Sequence, residues 1–269
     1  MAPARQPIFN VPGVVLALVA VLCAIQLVTD YMNPLAQFRI LAEFAFVPAR
    51  FTVAYDPTAV ARAFNAAASN SESAAELATF FLGDGRPSWH TALTYAFLHG
   101  GWTHVGVNCL WLVAFGSALA RRFGTPRFLA FCALCAVGGA LAHYLTHLTD
   151  FQPMVGASAV VSGAMAAVVR FAFQPGAPLN AAFGFDRSHR AYRLPALPLR
   201  EVLSNRTALS FLGLWFLANF VFGAFPQTIG MTDASIAWQA HVGGFLAGLL
   251  TFSWFDPPAE RAPPAPSES

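Results

Sequence analysis

Six apolar runs punctuate the chain, at about 11–31, 102–119, 127–147, 156–174, 207–225 and 237–255. Each is close to the ~20 residues that a helix needs to cross a bilayer, so the pattern predicts six transmembrane helices. The first run follows Arg5 and has the layout of a signal peptide. However, Leu22 before Cys23 spoils a lipoprotein cleavage site and no small-x-small site closes the run, so it reads as a retained helix. Between the first two runs lies a long segment, about 32–101, with two Phe-rich amphipathic stretches, Leu35 to Phe46 and Ala74 to Leu82. Both are too short or too charged to span, and are predicted to lie in the outer interface with their aromatic faces among the headgroups. The polar, Pro-rich residues after Pro257 predict a disordered tail. The resulting division is a cytoplasmic N-terminus at 1–10, a membrane domain at 11–255 that includes the outer loop 32–101, and a cytoplasmic tail at 256–269.

Composition supports a lipid-facing surface. Hydrophobic residues make up 57% of the 269 and charged residues 10%, and the mean hydropathy is +0.55. Soluble domains carry about 25% charged residues, so too few remain here to hydrate an exterior. The 15 basic residues, all Arg, nearly balance the 13 acidic ones, which leaves no field to attract nucleic acid. The absence of Lys, with abundant Ala, Gly and Pro, fits a GC-rich genome and hence a bacterial cytoplasmic membrane. Eleven of the 15 Arg fall in segments that are cytoplasmic if the N-terminus is inside, and the short outer loops at 148–155 and 226–236 hold none. Arg39, Arg50, Arg62 and Arg86 lie in the long loop, which escapes the positive-inside rule, so both termini are expected inside. Cys23, Cys109, Cys132 and Cys135 all sit in apolar runs and read as core residues.

Polar groups inside spans are costly and call for an explanation. His104 and Asn108 open the second helix, Ser158 the fourth and His241 the sixth, and in the orientation above all three helices begin at the outer face. At ~1.5 Å rise per residue the four side chains share a depth within about 10 Å of that face. A Ser and a His at one depth suggest a nucleophile with its general base. No acid accompanies them, since Asp150 and Asp233 are loop residues, which leaves a Ser-His dyad. Asn108 lies one turn from His104 on the same face, so the two form a pair of donors for a developing oxyanion. The first turn of the fourth helix adds free backbone N–H groups. Gly156 and Gly163, with Ala240, Gly244 and Gly248, allow the close helix contact that such a dyad requires.

His99-(x4)-His104-(x3)-Asn108, then Gly156-Ala157-Ser158-Ala159, then His241 followed by Gly244 and Gly248 resemble the rhomboid intramembrane serine protease family over about residues 90–255. The resemblance implies an all-α membrane protein built as a six-transmembrane-helix bundle. It further implies an endopeptidase that cuts single-span transmembrane proteins near the outer face of the bilayer. Ser158 would be the nucleophile, His241 the base, and His104, Asn108 and the Ser158 N–H the oxyanion hole, with no metal or cofactor. The family often shows a Trp-Arg pair in its first loop, whereas here Trp89 is followed by His90. How this loop is anchored therefore stays open, as do substrate identity and oligomeric state. His90, His99, His143 and His147 read as structural. The fifth run carries bulky Phe211, Trp215, Phe216, Phe220, Phe222 and Phe225 and is expected to be the helix most easily displaced, with loop 226–236 as a lid. The alternatives are a haem protein ligated by two of His104, His143 and His241, and a transporter built on inverted repeats.

Overall fold

The computed structural model describes residues 11–174, 194–224 and 237–257, with the backbone alone for 219–224. The expected lid 226–236, the N-terminal 1–10 and most of the tail lie outside the described residues. Helix α1 (Gly13–Asp30) is followed by four helices of the long loop. These are α2 (Pro34–Phe44), α3 (Pro48–Thr52), α4 (Pro57–Asn70) and α5 (Glu72–Leu82). A short α6 (Thr91–Thr94) and a 3-10 turn at Tyr95–Phe97 lead into α7 (Trp102–Trp111). A π-helical turn at Leu112–Gly116 joins α7 to α8 (Ser117–Phe123) as one continuous rod. Then come α9 (Thr125–Thr146), α10 (Ser158–Val168), α11 (Leu199–Val202), α12 (Arg206–Ala224) and α13 (Trp238–Phe255).

Three of the described helices are long and apolar enough to cross a membrane: Gly13–Asp30, Trp102–Phe123 and Thr125–Thr146. The other three apolar runs contain helices α10, α12 and α13, but α10 has only 11 residues, not the run of 156–174. At ~1.5 Å per residue it is about 16 Å long, roughly half the hydrocarbon thickness. Its environment explains how so short a helix is stable, since every residue from Ala159 to Val168 is buried. It needs no lipid-matched length because other helices surround it.

Small residues set the packing. A Cβ on Gly244 would land on the Ala159 carbonyl, and one on Gly248 on the Gly163 carbonyl, so α13 and α10 run side by side in backbone contact. A Cβ on Gly138 would meet Ala247 at 2.6 Å, and one on Gly139 would come within 2.8 Å of the Tyr95 hydroxyl. The trio α9, α10 and α13 is therefore fixed by glycine, which permits dense van der Waals contact where lipid supplies no hydrophobic drive. The four cysteines are free and Cys109, Cys132 and Cys135 are buried, as expected.

The long loop is a folded layer. Its helices start where Asn33 accepts from the Ala36 N–H, Asp56 from Ala59 and Ser71 from Ala74, with Pro34 and Pro57 at the first helical positions. The expected amphipathic stretches are α2 and α5, while α3 and α4 went unread. Arg50 anchors the layer. It is 8% exposed, and its guanidinium donates to the Phe81 carbonyl (2.6 Å) and to the Ala42 carbonyl, joining α2, α3 and α5. The rest of the bundle is reached through Phe46, which pairs with Met154 backbone to backbone, and Thr52, whose hydroxyl donates to the Leu148 carbonyl at 2.5 Å. Trp89 packs edge-on against Phe51 (5.3 Å), and His90 Nε2 contacts the Glu43 carbonyl at 2.8 Å.

At the opposite end, two Arg counted as topological charges turn inward. Arg122 donates to both Asp256 oxygens (2.6 and 2.9 Å) and to the Leu194 carbonyl (2.8 Å), with its guanidinium over the Phe171 ring. Arg170 Nε donates to the Leu197 carbonyl at 2.6 Å.

Candidate active site

Ser158 is the first residue of α10 and half-buried. The segment before it is pinned by two backbone donors: the Gly156 N–H donates to the Tyr95 carbonyl (3.0 Å) and the Ala157 N–H to His99 Nε2 (3.3 Å). Gly156 sits at φ +122, in the region that favours glycine. A Cβ there would lie 2.7 Å from His104 Nε2 and 3.8 Å from Ser158 Oγ. The missing side chain thus keeps open the space between that imidazole and that hydroxyl.

His104, in the first turn of α7, accepts from the Gly100 N–H at Nδ1 (3.3 Å). An acceptor Nδ1 puts the hydrogen of the neutral ring on Nε2, which faces Gly156 as a donor. Asn108, 4% exposed, lies one turn further along and donates through Nδ2 to the His104 carbonyl at 3.1 Å. The amide keeps a second N–H. His99 packs its ring against His104, with centroids 4.9 Å apart in a T-shaped arrangement.

His241 lies in the first turn of α13, three residues before Gly244. Gly244 abuts Ala159, the residue after Ser158, so the α10–α13 contact begins one residue beyond the hydroxyl and one turn beyond the imidazole. The structure therefore gathers Ser158, His104 and Asn108 at one end of the bundle and sets His241 on the helix fused to α10 there.

Two readings change. His99, expected to be merely structural, holds both the Ala157 N–H and the His104 ring and so supports the candidate site. Its place five residues before His104 was the visible signal, but the partner Ala157 lies 58 positions away. The buried His143 stacks on His147 (4.5 Å, 17°) while His104 pairs with His99, so two of the three imidazoles considered as haem ligands are drawn into separate pairs. Among the described residues, no cluster of three or more His, Cys, Asp or Glu forms a metal site.

Helix α12 meets the bundle through aromatic faces. Trp215 stacks on Phe245 at 5.3 Å, Phe216 lies 5.2 Å from the same ring, and Phe211 is edge-on to Phe115 at 5.7 Å. Its described glycine, Gly213, makes no contact of the α10–α13 kind and has open space where a Cβ would stand. The side chains of Phe220, Phe222 and Phe225 lie outside the described residues.

Comparison with known proteins gives a consistent result. The Rhomboid domain family model matches residues 86–255, well over half of the 269. An Arabidopsis thaliana protein named "RHOMBOID-like protein 5" is 28% identical over 160 residues, 57% of this chain and 40% of the relative. A Bacillus subtilis (strain 168) protein named "Putative rhomboid protease YdcA" is 34% identical over 82 residues, 30% of this chain and 41% of the relative. The chain thus spans about two-fifths of the length of these curated relatives.

Proposed function

The chain belongs to the rhomboid family, and on that premise we propose that it is an intramembrane serine endopeptidase acting on single-span transmembrane proteins. In this reading Ser158 Oγ attacks the scissile carbonyl carbon while His241 takes the hydroxyl proton. The carbonyl oxygen becomes an oxyanion and is held by the Ser158 N–H, His104 Nε2–H and the free Nδ2–H of Asn108. Collapse of the tetrahedral intermediate breaks the C–N bond, and His241 returns the proton to the leaving amine. Water, activated by the same imidazole, then hydrolyses the acyl-enzyme and frees Ser158.

One observation carries the assignment: an Nε2–H donor on His104 and the Ser158 hydroxyl flank a gap that only a glycine at 156 leaves open. A packing serine has no need of that gap, while an oxyanion does. Supporting it, the Gly244–Ala159 backbone contact sets the start of α13, which carries His241, beside the start of α10, which carries Ser158. With the positive-inside bias, the reading sets cleavage near the outer face and both termini in the cytoplasm.

The test is gel-based cleavage of a single-span substrate by the purified chain in detergent and in proteoliposomes. Ser158→Ala and His241→Ala should each lose ~10³-fold or more, with the double variant scarcely worse, because residues acting as one unit are non-additive. Substantial activity in Ser158→Ala, or losses that multiply, would refute the dyad.

A further inference from the structure

A groove on the long loop shares no lining residue with the candidate site. It has a volume of about 640 Å³ and is walled by Met32, Ile40 and Phe80, with Arg39, Glu43 and Arg50 among its lining residues. Its depth is set by α1. Met32 follows two residues after the last residue of that span, Asp30, whose carboxylate accepts from the Trp102 indole at 2.5 Å where α7 begins. The groove therefore opens at the level where hydrocarbon gives way to headgroups.

Arg50 makes it more than an apolar cleft. The side chain is buried and its bonded partners are two neutral carbonyls; the carboxylates of Glu43 and Asp84 are near enough to act on it but lie beyond ion-pair distance. Those bonds use Nε and Nη1, leaving Nη2 towards the groove beside Gly83, where a Cβ would lie 3.1 Å from it. Glycine at that position, with φ +61, both allows the turn and keeps the guanidinium arm uncovered. Those carboxylates act on the guanidinium without closing an ion pair, so a phosphate at Nη2 would add a directly bonded anion. Arg39 and Glu43 stand four residues apart on α2 and so share a face, offering a second guanidinium and a carboxylate to the same space.

We propose that this groove binds one phosphatidylethanolamine molecule of the surrounding leaflet, its phosphate held by Arg50 and Arg39 and its ammonium by Glu43. The volume suits a headgroup with the first acyl carbons on Met32, Ile40 and Phe80. Glu43 selects this headgroup. Phosphatidylglycerol has no cation to place there, and the quaternary ammonium of phosphatidylcholine has no N–H to donate. The lipid would tie α2, α3 and α5 together at the point where Arg50 already joins them.

The test is native mass spectrometry of the full chain released from detergent, with equal amounts of phosphatidylethanolamine, phosphatidylglycerol and phosphatidylcholine of matched acyl chains. Wild type should retain a single phosphatidylethanolamine in roughly tenfold preference to phosphatidylcholine, the weight of one hydrogen bond to a charged group. Arg39→Gln should lower that retention about tenfold, and Glu43→Gln should abolish the preference over phosphatidylcholine. Arg62→Gln, exposed on α4 and outside the groove, should change nothing. Arg50 is left intact because the loop is built on it. Equal retention of the three lipids, or the same retention in Arg39→Gln as in Arg62→Gln, would overturn the proposal. So would displacement by chain-free glycerophosphoethanolamine, which would make the groove a site for a soluble phosphate.

Discussion

The hydrogen bond from the Ala157 N–H to His99 Nε2 makes that ring a neutral acceptor at the mouth of the site. Burial, and then the neighbouring His104, hold the His99 imidazole far below its usual 6.5, at about 3. A depressed pKa means that the unfolded chain takes up a proton that the folded chain refuses. The His99 contribution is therefore intact above pH ~6.5 and is lost progressively as pH falls towards 3. Thermal unfolding in detergent should show a shallower acid decline for His99→Gln than for wild type. Identical slopes would show that His99 does not couple folding to this proton. At Asn108, the donor proposed for the oxyanion, loss of one preorganised hydrogen bond is expected to cost about 3 kcal/mol, or ~10²-fold. Asn108→Ala should therefore lower turnover by that factor with little change in apparent substrate affinity, as read from initial rates over a substrate series.

At the scale of elements, the glycine seam between α10 and α13 is rigid in a way that the aromatic seat of α12 is not. A Cβ on Gly244 would strike backbone, which has no rotamer by which to yield. Gly244→Ala should destabilise the bundle by about 3 kcal/mol or more and abolish cleavage by parting α13 from α10. Gly213→Ala on α12 meets nothing within 4 Å and should be neutral or gain up to ~1 kcal/mol of helix propensity. Unfolding in SDS with a helical readout compares the two, and equal effects would mean that the seam is not as tight as drawn. This contrast leaves α12 seated less rigidly than α13, in keeping with its expected role as the helix most easily displaced.

Across the whole molecule, charges buried at the two ends hold the bundle closed. Arg122 and Asp256 lie 134 positions apart, with side chains 4% and 18% exposed, and join the end of α8 to the end of α13. Removing one partner of such a pair strands the other, at a cost of about 3 kcal/mol. Asp256→Asn should lower the thermal midpoint in detergent markedly, while Arg127→Gln, an exposed charge in the first turn of α9, should matter far less. Equal shifts would mean that the latch contributes no more than surface charge.

Much of this was legible in the chain itself. Hydropathy runs located the helices because lipid demands about 20 apolar residues wherever a helix crosses unaided. The depth shared by His104, Asn108, Ser158 and His241 followed from counting residues along those runs, and the small residues at 156, 163, 244 and 248 marked where helices meet. The chain did not disclose that α10 is half a membrane long, since an apolar residue reads the same whether lipid or another helix covers it. Nor did it disclose α4, whose Asp56-Pro57 start was present but whose Ala-rich face lacks the aromatic signal of α2 and α5. Arg50, Arg122 and His99 were read respectively as a loop charge, a topological charge and a loop histidine. Their partners are Phe81, Asp256 and Ala157, at separations of 31, 134 and 58 residues. Local pattern reports what a residue can offer, whereas burial and hydrogen-bond partners depend on what the fold brings to it from elsewhere in the chain.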